Sequence, residues 1–205
     1  MFPSAEPSAR RMPRLWRCNT RIMQLAFFLN QSRCSGCFTC VMACRQWHTS
    51  DREAMNWRRV ETFENGIFPN LKVSFLSISC LHCQTPPCAS VCPTSAILKR
   101  EQDGIVLVDQ DKCLGECACG QCREACPYGI PQFHPGNDSR MEKCDFCHDR
   151  LDQGKQPICV DACPMRALDA GPLDKLLRRY GHDAGAEGFT YSEEAHPSVL
   201  LKGKK

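Results

Sequence analysis

Cys34-Ser-Gly-Cys37-Phe-Thr-Cys40-Val-Met-Ala-Cys44 is the stretch that most constrains what this chain can fold into. Two residues separate each of the first three cysteines, and three residues separate the last pair. That spacing lets one loop present three thiolates to three corners of a single [4Fe–4S] cube. The fourth cysteine falls where the chain turns away, so it serves a neighbouring cube. Gly36 gives the loop a permissive backbone position where it wraps closely.

Related sets recur. The second is Cys80-x2-Cys83-x4-Cys88-x3-Cys92-Pro93, widened around Pro86-Pro87. The third contains Cys113, Cys117, Cys119, Cys122 and Cys126-Pro127. Here Cys119, Cys122 and Cys126 fit the last three positions, but regular spacing would put the first ligand at Glu116. Cys113 follows Asp111-Lys112 and leads into Leu114-Gly115, as a first ligand should, and Cys117 is the alternative to Cys119. The fourth set is Cys144-x2-Cys147-x11-Cys159-x3-Cys163-Pro164. Of 18 cysteines, setting aside Cys18 and one of the third set leaves four cubes of four ligands each.

Other uses of these cysteines fit poorly. Disulfides are opposed by tight C-x2-C loops in a chain that reads as intracellular. Structural zinc takes pairs of knuckles far apart and does not require C-x2-C-x2-C-x3-C or Cys-Pro at three run ends, so a zinc-binding scaffold is the reading of another class. His82 and His148 adjoin cysteines, yet enough thiolates exist without them.

Composition agrees with metal-dependent folding. The hydrophobic fraction of 42% falls to about 33% once cysteine is removed, a thin core for 205 residues. Metal–sulfur bonds are expected to replace part of that core, leaving the metal-free chain largely unfolded. The net charge of +3 is also misleading, because four oxidised cubes at about −2 each turn it to about −5. A basic, nucleic-acid-binding surface loses its support there, and no zinc-finger or RNA-binding motif replaces it.

No apolar run is long enough to span a membrane. Residues 1–22 are rich in Arg and Pro and lack a signal-peptide h-region, so they read as a disordered basic tail. Arg10-Arg11 is poorly continued as a twin-arginine signal. A cytoplasmic location, or one at a membrane surface through partners, is expected.

Along the rest of the chain, Gln24–Leu29 reads as a buried strand and Arg45–Trp57 as a helical turn and surface loop, with Trp47 and Trp57 as packing residues. Arg59–Glu64 and Leu71–Ser79 read as strands around Asn65-Gly66, in a connection lengthened by Phe68-Pro69-Asn70. Pro93 is expected to open a helical turn over Thr94–Leu98. Gly104–Asp109 reads as a strand, Asp149–Lys155 as a helical turn ending at Gly154, and Gly171–Gly181 as a helix. Residues 182–205 read as an extended tail. No nucleophile–base pair, paired carboxylates or glycine-rich nucleotide loop appears, which leaves non-catalytic electron transfer.

Leu76-Ser-Ile-Ser-Cys-Leu-His-Cys83, Cys126-Pro-Tyr-Gly129 and Lys155-Gln-Pro-Ile-Cys-Val-Asp-Ala-Cys-Pro-Met-Arg-Ala-Leu168 carry a family likeness. Over about residues 23–180 the chain resembles the iron–sulfur subunit of the dimethyl sulfoxide reductase family of molybdopterin oxidoreductases. The resemblance implies a loop-rich α+β fold of two ferredoxin-like [4Fe–4S] modules, one inserted in the other, with few short strands and helices. The outer module would comprise residues 23–79 and 128–180, the inner one residues 80–127, and residues 181–205 a C-terminal tail. First and fourth sets would pair, as would second and third.

The resemblance also implies four [4Fe–4S] clusters, a molybdopterin (Mo or W) catalytic subunit and a quinol-linked membrane anchor or soluble redox partner. The equivalent subunit of a formate dehydrogenase or hydrogenase complex is the nearest alternative. The longer third set departs from the family pattern, and some relatives hold a changed cluster there. Interleaved ligation, with the last cysteine of each run before a helix and pointing outward, assigns Cys34, Cys37, Cys40 and Cys163 to one cube and Cys44, Cys144, Cys147 and Cys159 to its neighbour. Cys80, Cys83, Cys88 and Cys126 would hold a third cube, and Cys92, Cys113, Cys119 and Cys122 a fourth.

Overall fold

Strand β1 (Leu25–Asn30) is covered on both faces. Its side chains alternate as a strand requires. Leu25, Phe27 and Leu29 join the main core with Leu76, Ile78 and Phe146, while Ala26 and Phe28 meet Leu173, Leu176 and Leu200. A strand buried on both sides needs an unbroken apolar run, which is why it was legible one residue from its true position. The structure, a computed structural model, describes residues 23–48, 55–134, 139–182 and 185–204. The tail expected over residues 1–22, with Cys18, lies outside them.

Helix α1 (Thr39–His48) begins inside the first cysteine run, earlier than the turn expected from Arg45. Cys40, Val41 and Cys44 share its buried face, a helical spacing that the cysteine pattern concealed. Strands β2 (Arg59–Asn65) and β3 (Lys72–Ile78) form an antiparallel hairpin, in register from Arg59↔Ile78 to Asn65↔Lys72. Residues 66–71 connect them, so the turn is a long one.

Helix α2 (Pro87–Ser90) follows, with Pro87 at its first position, where a missing N–H is harmless. The turn expected over Thr94–Leu98 is not helical. Ile97 and Leu98 belong to β4 (Ile97–Lys99), which pairs antiparallel with β5 (Val106–Val108). The Ala96 N–H donates to the Cys92 sulfur and Ser95 adopts φ 53°, so the chain reverses at once and enters the strand. The strand expected over Gly104–Asp109 keeps only its central three residues.

Helix α3 (Gln121–Ala125) carries Cys122. The short strands β6 (Gln132–Phe133) and β7 (Met141–Glu142) pair antiparallel. Helix α4 (His148–Leu151) falls in the expected turn, and the Gly154 N–H donates to the Leu151 carbonyl at its end. Helix α5 (Ile158–Asp161), strand β8 (Leu168–Pro172) and helix α6 (Leu173–Tyr180) complete the fourth-set region. Pro172 and Gly181 bracket α6 as expected.

The C-terminal region departs from expectation. Residues 182–205 read as a tail, yet β9 (Val199–Lys202) pairs parallel with β1 and buries Val199, Leu200 and Leu201. Four residues are too short for an unambiguous apolar signal, and only the edge of β1 gives them a partner.

The central sheet has the order β8-β1-β9. Antiparallel pairing from Leu25↔Pro172 to Leu29↔Leu168 brings the first cysteine loop beside the end of the fourth set. The β4–β5 ladder, from Ile97↔Val108 to Lys99↔Val106, does the same for the second and third sets. Helix α1 packs on α5, and α2 packs on α3. Each strand pair is thus matched by a pair of short helices carrying cysteines.

Candidate iron–sulfur sites

Gly36 shows how tightly the first loop is drawn. It has φ +67°, and a Cβ there would stand 2.5 Å from the Phe75 ring, so both backbone sign and space demand glycine. The loop and the end of the fourth set line one chamber with Cys34, Cys37, Cys40 and Cys163. A second chamber is lined by Cys80, Cys83, Cys88 and Cys126, and a third by Cys92, Cys113, Cys119 and Cys122. Apolar side chains, including Val60 and Leu168, Val106 and Ile130, and Phe133 and Met141, complete the walls.

Cys44, Cys144, Cys147 and Cys159 line none of these chambers, but they lie near enough to act on one another electrostatically. Burial pushes the Cys44 thiol up to about 12, and the Cys159 sulfur adds to the rise. Cys144 and Cys147 are likewise raised, first by burial and then by Cys44 and Cys159 among their neighbours. Cys88 and Cys122 rise to about 12 and about 11, again chiefly through burial. Buried thiols crowded together do not ionise unaided. A cationic iron core would supply the compensating charge, so loading and folding are coupled.

Two less buried cysteines are different. Cys37 is lowered, first by its hydrogen bond with Thr39, whose Oγ1 lies 3.3 Å from the sulfur. At Cys92, burial works upward, but hydrogen bonds from Thr94, Ile97 and Ala96 outweigh it.

The fourth cysteines do not precede helices, as expected of them. Cys44 lies within α1, Cys92 and Cys163 follow α2 and α5 after one capping residue, and Cys126 caps the C-terminal end of α3. A helical turn separates Cys40 from Cys44, and neighbours at that spacing stand about 5–6 Å apart on one face. This lets one helix reach two adjacent sites.

Cys117 is exposed and lines none of the three chambers, whereas Cys119 lines the third. His82 is fully buried, and its Nδ1 accepts the Val106 N–H at 3.0 Å. Burial holds its imidazole well below the ordinary histidine range, with Lys143, Lys99 and Arg58 reinforcing the effect. His148 Nδ1 instead lies 3.0 Å from Asp145 Oδ2.

Several polar residues around the sulfurs carried no sequence signal. His48 Nε2 stands 3.2 Å from the Cys147 sulfur, and its ring stacks on Trp57. Lys143 is buried, lines the second chamber and donates to the Val106 and Cys144 carbonyls. Arg58 is buried among cysteines of two quartets. No local spacing marks such residues, because segments distant in sequence bring them together. Trp57 does pack, as expected, but Trp47 is exposed, under the Arg150 guanidinium and donating to Asp149.

Residues 71–173 match a 4Fe-4S dicluster domain, and residues 33–97 match a second model of the same description. One component of the anaerobic dimethyl sulfoxide reductase of Escherichia coli K12 is 42% identical over 187 residues, covering 87% of this chain and 88% of that protein. The chain is a member of this family of iron–sulfur subunits. A subunit of sulfite dehydrogenase from Allochromatium vinosum is 41% identical over 164 residues, 70% of this chain and 67% of the relative. The formate dehydrogenase iron–sulfur subunit of Wolinella succinogenes is 37% identical over 174 residues, 75% and 84% respectively. As a member of the family, this chain is an electron-transfer subunit that carries [4Fe–4S] clusters in ferredoxin-like dicluster domains. Its few short strands and helices form a loop-rich α+β fold.

Proposed function

We propose that this chain is a four-cluster wire that relays electrons between a molybdopterin-containing catalytic subunit and a quinol-linked membrane anchor or soluble redox partner. The observation that carries the reading is three chambers, each lined by four cysteines from two distant runs of the sequence, with Cys44, Cys144, Cys147 and Cys159 left acting on one another. Each [4Fe–4S] group supplies one-electron capacity. The chain's own residues hold it, shield it with apolar walls and direct hydrogen bonds at its sulfurs.

The ligands would be Cys34, Cys37, Cys40 and Cys163; Cys44, Cys144, Cys147 and Cys159; Cys80, Cys83, Cys88 and Cys126; and Cys92, Cys113, Cys119 and Cys122. Exchange of the last cysteine within each pair of runs ties two sites into one rigid unit. The outer unit is built on β1 and β8, and the inner one is inserted between them. Phe133 and Met141 pack with Cys88 and Cys122, which supports extending the inner module from residue 80 to about residue 142, beyond the boundary expected at 127. The outer module then resumes near Lys143 and includes β9.

No helix among the described residues is long and apolar enough to cross a membrane, so in this reading membrane contact passes through a partner. The relative named as a formate dehydrogenase subunit keeps that complex as the second reading of the partner.

Anaerobic purification with iron, acid-labile sulfide and visible-spectrum analysis tests the wire, and co-purification of a large subunit tests the partner. About sixteen Fe per chain are expected, four for each of four cubes. Zinc without acid-labile sulfide would sink the reading.

A further inference from the structure

Arg58 precedes β2 and is only 2% exposed. A buried guanidinium is costly unless something compensates its charge. Its formal partners here are neutral: Nη1 donates to Ser77 Oγ at 3.1 Å and to the Ser77 carbonyl at 3.4 Å, and Nη2 donates to Ser79 Oγ at 2.8 Å. The guanidinium also lies over the Phe27 ring, 4.8 Å from its centroid. Nε is buried without a hydrogen-bond partner. No carboxylate balances the charge among these contacts.

Sulfur does. Ser77 Oγ, which accepts from Arg58, lies 3.4 Å from Cys40 Sγ. The guanidinium's charge also acts on Cys159, against the rise that burial causes there. Of the cysteines around it, Cys159 and Cys144 act on its charge most strongly, followed by Cys40 and Cys44. One cation therefore faces cysteines from both quartets of the outer unit. Arginine suits this post because it stays charged when buried and its planar fork is fixed by two serines.

We propose that Arg58 is a fixed cation that raises the reduction potentials of the two outer clusters, the fourth-set cluster most, and leaves those of the inner pair alone. An electron added to a cluster is one more negative charge, and a nearby cation in a dry interior stabilises that added charge strongly. Serine anchors keep the cation in place before and after the electron arrives, so no reorganisation is needed. This inference rests on the ligand reading above and deepens it by naming a residue that sets the energy levels of the wire.

The test is a redox titration followed by electron paramagnetic resonance, on the purified complex with its partner subunits. It compares wild type, Arg58→Met, Arg58→Lys and Ser79→Ala, with Cys147→Ser used to assign the fourth-set signal. In Arg58→Met the fourth-set couple should shift at least tenfold toward the oxidised form, which is 59 mV for one electron. The first-set couple should fall by a smaller factor, and the inner couples should stay within threefold of wild type. Arg58→Lys should recover most of the shift.

Full iron content with all four potentials within threefold of wild type would overturn the proposal, as would an equal fall in all four. If Arg58→Met fails to assemble, Ser79→Ala decides. Loosening the anchor should lower the fourth-set potential at least threefold in equilibrium terms, and an unchanged value overturns the proposal. Failure of the underlying ligand reading is distinguishable, since it would show before Arg58 is changed, as a missing cluster in the wild type or as the wrong signal altered in Cys147→Ser.

Discussion

The Ala167 backbone N–H donates to the Cys163 sulfur across 3.3 Å. Pro164 and Arg166 lie between them, and Arg166 takes φ 49° so that the amide can face back. Ala96 and Cys92 repeat the arrangement at 3.3 Å, with Ser95 at φ 53°. The Cys-Pro turn therefore does two jobs. It directs a partial positive charge at a ligand sulfur, and it feeds the chain straight into β8 or β4.

Arg166 is exposed, so its positive φ is not offset by packing. A non-glycine residue held there is strained by roughly 1–3 kcal/mol. Arg166→Gly should raise the thermal midpoint of the anaerobic, iron-loaded protein, by roughly 0.5–1 kcal/mol of stability. Arg166→Val should lower it by about 1–2 kcal/mol, because β-branching worsens a left-handed backbone. A valine variant as stable as wild type would refute this account of the turn.

Strand β9 makes its own prediction. Leu200 packs with Phe28, Leu173 and Leu176, while Leu201 joins the main core on the other face. Leu200→Ala and Leu201→Ala should each destabilise the loaded protein by about 2–4 kcal/mol, and Lys202→Ala by less than about 0.5 kcal/mol. Chemical denaturation under anaerobic conditions checks it. Alanine variants indistinguishable from wild type would mean that β9 is dispensable.

In the third set, Cys119 lines a chamber with Cys92, Cys113 and Cys122, while Cys117 faces solvent. Cys117→Ser should retain about sixteen Fe, whereas Cys119→Ser and Cys122→Ser should each lose one cluster or convert it to a form with less iron. Iron analysis with electron paramagnetic resonance distinguishes these. Loss in Cys117→Ser with retention in Cys119→Ser would reverse the register.

The sequence exposed what has a short period and concealed what depends on distant segments. The cysteine runs, the apolar β1 and the Pro172–Gly181 bracket of α6 are local signals, and each fell close to its true place. Helix α2, helix α3 and helix α5 are only four or five residues long, below the length at which periodicity identifies a helix. Pro93 misled because proline at a first helical turn and proline after a ligand cysteine look alike. Only the N–H from Ala96 to sulfur tells them apart. Arg58 was invisible for a different reason. Its surroundings come from β1, β3 and α5, brought together by the central sheet and by α1 packing on α5.

The same sheet carries the last prediction, which concerns the exchange of ligands. Cys34 feels Cys40, Cys163 and Cys37 as its charged neighbours, after burial, which raises its thiol most. Cys44, from the same run, feels Cys159 most among the cysteines, ahead of Cys40. Pairing of β1 with β8 sets Cys163 beside the first loop, and packing of α1 on α5 sets Cys44 beside the fourth. Cys163→Ser should therefore alter the first-set cluster and spare the fourth-set one, while Cys44→Ser should do the reverse. Reduced samples examined by electron paramagnetic resonance would show one perturbed signal in each variant, and a different one. If Cys163→Ser altered only the fourth-set signal, ligation would follow each run separately. The two outer sites would then lack the shared helices that hold them at a fixed separation.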